Sequence, residues 1–314
     1  MRVNMGKERK LNIIGKIILF LITIAWGSSF IILKETIDDL PIFYVLSLRF
    51  LPASVLLLLI LFTKIKDKVN KKSILHGVII GLILFSAYAI QTMGVKYTTA
   101  SRNAFLTASY CVLTPFLAYF INKTKIQSHN VVSAVLCLTG VGFVVFSSGL
   151  ESNADSLILG DALTLGCATF YALQIIMINK YQNVSGDDGL TLLVFELLTT
   201  GVCCTVTTLI FELPAQKITA YALNLEQILK ITYLMLICTL MAQLGQMIGQ
   251  KYTEENEASL ILSLEAFFGA LFSVIIGDEK FTILLVVGFV IIFIAEIINE
   301  LKIDVLKPFR RLTR

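Results

Sequence analysis

The chain predicts an all-helical integral membrane protein: ten transmembrane helices forming two inverted five-helix repeats, with both termini cytoplasmic. Three observations carry this. Apolar stretches long enough to cross a bilayer fill its 314 residues almost end to end. The residues closing the third stretch recur at the close of the eighth. Lys and Arg are distributed unequally between the two sets of connections.

Composition sets the class. The chain is 56% hydrophobic and 15% charged, with a mean hydropathy of +0.83. One soluble core of this size could not hide so much apolar side chain, so lipid must solvate much of it. A spanning helix needs about 20 mostly apolar residues. In order, the segments are Ile13 to Leu33, Ile42 to Phe62, Ile74 to Gly94, Ala104 to Ile121 and Val131 to Ser148. The second five are Asp161 to Ile178, Leu190 to Phe211, Ile231 to Ile248, Ala258 to Ile276 and Thr282 to Ile298. Segment 1 follows a basic start and contains Ala25-Trp26-Gly27, which loosely mimics a cleavage site. Its apolar run continues through Leu33, too long for a signal peptide, and is read as a retained helix. The connections are short, the longest running from Glu212 to Lys230.

Counting from the proposed inner ends, nineteen Lys/Arg fall on one side against six on the other. The positive-inside bias then places both termini in the cytoplasm. It also explains the net charge of +4 without a nucleic-acid partner; the partners expected are the bilayer and a small-molecule substrate. Cys111, Cys137, Cys167, Cys203, Cys204 and Cys238 all fall inside segments, as small apolar residues. His76 and His129 stand at loop edges. No metal spacing and no phosphate-binding loop is present, so no cofactor is expected.

Shifted by 155 positions, Ala87, Gln91, Gly94, Lys96, Tyr97 and Thr98 meet Ala242, Gln246, Gly249, Lys251, Tyr252 and Thr253. Gly142-Phe143-Val144 of segment 5 echoes Gly288-Phe289-Val290 of segment 10 at a slightly different shift. Two copies of an odd number of helices insert with opposite orientation, and such repeats place a substrate site near the midplane between them. The division expected is residues 1–150 and 151–314, the second carrying a basic tail.

The chain resembles the drug/metabolite transporter superfamily, in its branch with two EamA-type repeats. The resemblance rests on Ala25-Trp26-Gly27-Ser28-Ser29-Phe30, Ser47-Leu48-Arg49-Phe50 and the run Tyr97 to Leu106. The second half adds Gly160-Asp161-Ala162-Leu163, Phe170-Tyr171-Ala172-Leu173, the run Ala258 to Glu265, and Gly277-Asp278-Glu279-Lys280. Two positions depart: Ala266 stands where proline usually follows the segment 9 glutamate, and Glu196 where the repeat would carry arginine. The resemblance implies transport and places Glu265 at a central cavity. It does not name the cargo.

Ionisable groups at a helix centre cost about 2.5 to 3.5 kcal/mol on insertion scales, so each needs a partner or a wet cavity. Arg49 suits a carboxylate or phosphate, or ties its helix to carbonyls or a buried acid. Glu265 is a proton carrier, a counterpart for a cationic substrate, or a structural partner. Glu196 is a bundle pair or a second coupling group. Gln243, Gln246 and Gln250 share one face of segment 8, which cannot look at lipid. Tyr88 and Gln91 are the equivalents of Gln243 and Gln246 in segment 3. Trp26, Ser29, Tyr171 and Gln174 on segments 1 and 6, with Asn103, Tyr110 and Thr114 on segment 4, complete the expected lining. Pro115 is expected to kink segment 4 near its middle. Glycine spacing at Gly77 and Gly81 suits close helix packing and, more weakly, a homodimer.

The leading reading is a secondary transporter, an exporter of small amino acid-like or amphipathic metabolites, and not an enzyme. A membrane-embedded lipid-modifying enzyme or a non-transporting assembly subunit is the alternative. Ile- and Lys-rich usage points to a bacterial plasma membrane.

Overall fold

The computed structural model describes residues 2–149, 154–213, 223–277 and 280–301. Asp278, Glu279, Lys217 and the basic tail from Lys302 lie outside them. All regular structure among the described residues is helical. Eight helices are long and apolar enough to cross a membrane: α1 (Arg9–Asp39), α2 (Ile42–Ile65), α3 (Lys71–Tyr97), α4 (Ala100–Asn122), α6 (Ala154–Val184), α7 (Gly189–Glu212), α8 (Leu225–Gln250) and α9 (Glu255–Ile275). Two more, α5 (Ser128–Gly149) and α10 (Ile283–Glu300), have shorter apolar runs at Ser128–Val144 and Ile283–Ala295. The ten expected segments therefore all coincide with helices, most of which run further than the apolar stretches do.

Local chemistry sets several starts. Asn70 caps α3 by accepting from the Ser73 amide, while the Ser73 hydroxyl accepts from the Asn70 amide; this reciprocal pairing satisfies donors that lack an intrahelical partner. Asn224 and Gln227 repeat the device on α8. Asp188 caps α7 through the Thr191 amide, and Thr282 caps α10. At α2 the cap is remote: the Glu212 carboxylate, at the end of α7, accepts from the Phe43 and Tyr44 amides at 2.9 and 2.7 Å.

Large apolar side chains point outward along the bundle, among them Leu59, Phe120, Leu138, Phe211 and Ile283, as lipid-facing positions do. Inside, α1 packs on α8 and α9, while α6 packs on α3 and α4. Both arrangements depend on glycine. A side chain on Gly160 would lie 2.6 Å from the Thr98 amide and 2.8 Å from the Gly94 carbonyl; one on Gly15 would lie 3.0 Å from the Gly249 carbonyl. α5 and α10 pack together through Gly140 and Gly288, and Phe289 of α10 stacks on Phe105 of α4 with centroids 3.9 Å apart. α3 is pressed onto α7 at Gly77 and Gly81, so that glycine pair serves contact within the chain.

Two helices are interrupted. α4 breaks at Ser109 (ψ −13°) and α9 at Leu264 (ψ −13°), positions separated by the same 155 residues as the sequence repeat. The kink in α4 thus falls six residues before Pro115 rather than at it. α9 breaks alike with no proline, so proline is not the sole cause.

A candidate substrate cavity between the halves

Side chains from six helices line a narrow cavity of about 20 Å³, room for about one water. α1 contributes Trp26, Ser29 and Phe30; α6 contributes Tyr171, Gln174 and Ile175. Tyr88 and Gln91 come from α3, Gln243 and Gln246 from α8, Tyr110 from α4, and Leu262 and Glu265 from α9. Twelve of these thirteen residues form six pairs. Tyr88 with Gln243, Gln91 with Gln246, and Tyr110 with Glu265 are each 155 positions apart. Trp26 with Tyr171, Ser29 with Gln174, and Phe30 with Ile175 are each separated by 145. The cavity is therefore built twice from equivalent positions of the two halves, with different side chains in five of the six pairs.

Polar groups in its wall are held by one another. The Tyr171 hydroxyl donates to Gln91 Oε1 at 2.7 Å, and Gln91 Nε2 donates to Thr107 at 3.2 Å. Gln174 and Gln246 form a reciprocal amide pair, with Nε2 to Oε1 distances of 3.3 and 3.0 Å. Gln174 Nε2 also donates to Glu196 Oε1 at 2.7 Å. Trp26 donates its indole N–H to the Cys238 carbonyl at 2.9 Å. Gln243 Oε1 has no hydrogen-bond partner among the described residues, which suits a group that faces a ligand or water. Tyr110 lies against Glu265.

Five expected site residues stand outside the wall. Gln250 is fully buried and donates to the Ile175 carbonyl at 3.3 Å, joining α8 to α6. Thr114 donates to the Tyr110 carbonyl within α4. Asn103 donates to the Gln91 carbonyl and to Thr164 at 3.2 and 2.7 Å, and so ties α4 to α3 and α6. Glu196 lies behind Gln174, with Oε2 unpartnered among the described residues. Arg49 lies behind Tyr88.

The Arg49 setting depends on an irregular turn. α8 is π-helical over Leu236–Met241, a rare kind of turn that is frequent at functional sites. Arg49 donates to the Cys238 carbonyl at 3.0 Å, to Thr239 Oγ1, and to the Tyr88 hydroxyl at 3.3 Å. Its guanidinium carbon sits 4.8 Å from the Tyr88 ring centroid. Nη1 has no partner among the described residues. Trp26 and Arg49 thus share the Cys238 carbonyl, which lies within this turn, and nothing in the sequence announces that turn.

All six cysteines are free. His76 pairs with Asp187 at 2.6 Å and stacks on Tyr181, while His129 is buried. Among the described residues no three of His, Cys, Asp and Glu converge as metal ligands would.

Comparison with known proteins agrees with this architecture. A protein of Archaeoglobus fulgidus, named an uncharacterized transporter, is 30% identical over 285 residues, spanning 91% of this chain and 85% of its own length. A second from that organism, named likewise, is 25% identical over 84% of this chain and 89% of its own. The Bacillus subtilis uncharacterized transporter YetK is 29% identical over 48% and 47% of the two chains. A solved structure covering 93% of this chain and 98% of its own superposes with a TM-score of 0.68 at 14% identity, a likeness of fold alone. The profile of the EamA-like transporter family matches residues 13–146 and again 158–299. The chain is a multi-pass membrane protein and belongs to the EamA-like transporter family, within the drug/metabolite transporter superfamily.

Proposed function

We propose that the chain is a secondary transporter of the plasma membrane that exports small polar or amphipathic metabolites by alternating access. In this reading residues 1–150 and 151–314 are two oppositely inserted repeats that rock around the cavity. The observation that carries it is the cavity wall itself, made of six pairs of equivalent positions drawn from the two halves. Such a site can be offered to either side of the membrane by nearly symmetric movements. The amide and aromatic lining would supply hydrogen bonds and apolar faces to a small metabolite once the halves rock apart and widen the cavity. Glu265, an acid in the wall, carries the coupling proton. Arg49, braced on α8, senses the anionic end of a substrate through Tyr88.

The test is counterflow in liposomes. Vesicles preloaded with each member of a panel of amino acids, organic cations and organic anions should accumulate the matching labelled compound for at least one of them. Ohmic conductance, or no flux for any member, would overturn the carrier reading. Glu265→Gln should retain counterflow but lose pH-driven uptake; an unchanged pH profile would remove Glu265 from the coupling role.

A further inference from the structure

Two ion pairs lie outside the cavity and have no part in the reading above. Arg102 Nη1 of α4 donates to the Val144 carbonyl of α5 at 2.9 Å and lies 3.4 Å from Asp161 Oδ2 of α6, with the Arg102 and Asp161 side chains 1% and 0% exposed. Lys16 Nζ of α1 is 3.1 Å from Glu257 Oε2 of α9, with side chains 37% and 27% exposed. The shift of 155 that carries Gln91 to Gln246 also carries Arg102 to Glu257. The shift of 145 that carries Trp26 to Tyr171 also carries Lys16 to Asp161. The two pairs therefore occupy equivalent places in the two halves, with the signs of charge exchanged.

Their surroundings match as well. Asp161 follows Gly160, which is pressed against Gly94 and Thr98; Lys16 follows Gly15, which is pressed against Gly249 and Thr253. Thr98 donates to Asp161 Oδ1 at 2.6 Å. Its equivalent Thr253 is buried, with Oγ1 unpartnered among the described residues. The exchange of charge explains this: an ammonium at Lys16 offers a donor hydroxyl no acceptor, where the carboxylate at Asp161 does.

The pairs sit at opposite ends of the bundle. Lys34, near the far end of α1 from Lys16, donates to the carbonyl of Lys96, which is adjacent to the Thr98 and Arg102 end. Each pair lies ten residues along its helix from a cavity residue, Lys16 from Trp26 and Asp161 from Tyr171, or about 15 Å at 1.5 Å per residue. Each joins a helix of one half to a helix of the other.

We infer that Arg102–Asp161 and Lys16–Glu257 are paired gates, one at each end of the cavity, both engaged in this occluded arrangement and released in turn during transport. The inference rests on the alternating-access reading. It adds an asymmetry: the buried Arg102–Asp161 gate is harder to open than the half-exposed Lys16–Glu257 gate, because a buried pair cannot exchange its partner for water. The resting protein should therefore open more often at the Lys16 end.

The test uses Ser29→Cys as a cavity reporter in full-length protein whose six native cysteines are replaced, labelled by a membrane-impermeant thiol reagent in right-side-out and inside-out vesicles. Alternating access requires labelling from both faces. Glu257→Gln should speed labelling from the Lys16 face by up to about fivefold, the most a partly exposed pair is worth, and leave the other face unchanged or slower. Lys16→Glu combined with Glu257→Lys should restore the original rates. Asp161→Asn should act on the opposite face; should it fail to assemble, Arg102→Gln with Asp161→Asn replaces it, leaving no lone buried charge. If the reporter labels from one face alone, the transport reading falls and the gates with it. If it labels from both faces but Glu257→Gln alters neither rate, or alters both equally, or the exchanged pair does not restore them, the gates alone are refuted.

Discussion

Arg49 shows how much one buried residue can hold. Its fully buried guanidinium reaches three acceptors on two helices, and one of these is the Tyr88 hydroxyl in the cavity wall. A lysine keeps the charge but not the planar fork, so it cannot satisfy the Cys238 carbonyl, Thr239 and Tyr88 together. Arg49→Lys is therefore expected to cut transport at least tenfold while the protein still assembles, as read by counterflow alongside a monodisperse elution profile. Normal transport by Arg49→Lys would mean that charge alone suffices. The sequence marked Arg49 as costly to bury but could not choose among its partners, because its carbonyl acceptor, Cys238, lies in the π-helical turn at Leu236–Met241, which residue spacing does not reveal. Gln250 illustrates the same limit. Its place on the Gln243 and Gln246 face was plain from spacing, yet it lies beyond the end of the cavity and bonds the Ile175 carbonyl. Spacing identifies a face; it does not say where along that face the hollow ends.

At the scale of elements, glycine decides how closely helices approach. On α6, Gly160 and Gly166 look equivalent in sequence, but a side chain at Gly160 would meet backbone within 2.6 to 2.8 Å, while at Gly166 the nearest atom is Ile90 Cγ2 at 3.8 Å. Gly160→Ala is expected to destabilise by about 1 to 3 kcal/mol through overpacking. Gly166→Ala should be neutral or gain up to about 1 kcal/mol from helix propensity. Thermal unfolding in detergent distinguishes them, and equal melting temperatures would refute the crossing. A second element-scale prediction concerns the start of α7. Asp188 caps that helix and pairs with Lys68 at 2.7 Å. Partial burial works to raise its carboxyl, but the hydrogen bonds from Lys68 and Thr191 prevail and hold it below the usual carboxylate value. A depressed folded value contributes stability that is fully present above the unfolded value of about 3.9 and is lost as pH falls through the folded value. Asp188→Ala should therefore cost about 0.5 to 2 kcal/mol at neutral pH, with the gap from the unmodified protein narrowing below about pH 4; a gap that persists in acid would point to packing rather than charge. The helices themselves were readable from apolar length, and their breaks less so. Pro115 drew attention to α4, but the bend lies at Ser109 and recurs at Leu264 without any proline.

For the whole molecule, the repeat is the organising fact, and it was only half visible in the sequence. The shift of 155 carries six identities over Ala87 to Thr98 because α3 and α8 keep similar residues where they cross α6 and α1. The shift of 145 between α1 and α6 emerges only from the cavity, since Trp26 and Tyr171, Ser29 and Gln174, and Lys16 and Asp161 share positions without sharing chemistry. Divergence of side chains on a shared backbone plan allows a two-fold scaffold to hold an asymmetric cargo. Orientation follows from the same plan. The crossings Gly15 with Gly249 and Gly94 with Gly160 lie at opposite ends of the bundle, as five-helix units inserted in opposite senses require. On the orientation proposed above, the Lys64 to Lys72 connection is expected on the same side as both termini, and residues 214–222 on the other. Reporter fusions after Asp67 and at the C-terminus should give the cytoplasmic signal, and a fusion within residues 214–222 the external one. A C-terminus outside, with the Lys64 to Lys72 connection inside, would require an odd number of crossings between them and would break the two-fold plan from which the cavity and the gates are both derived.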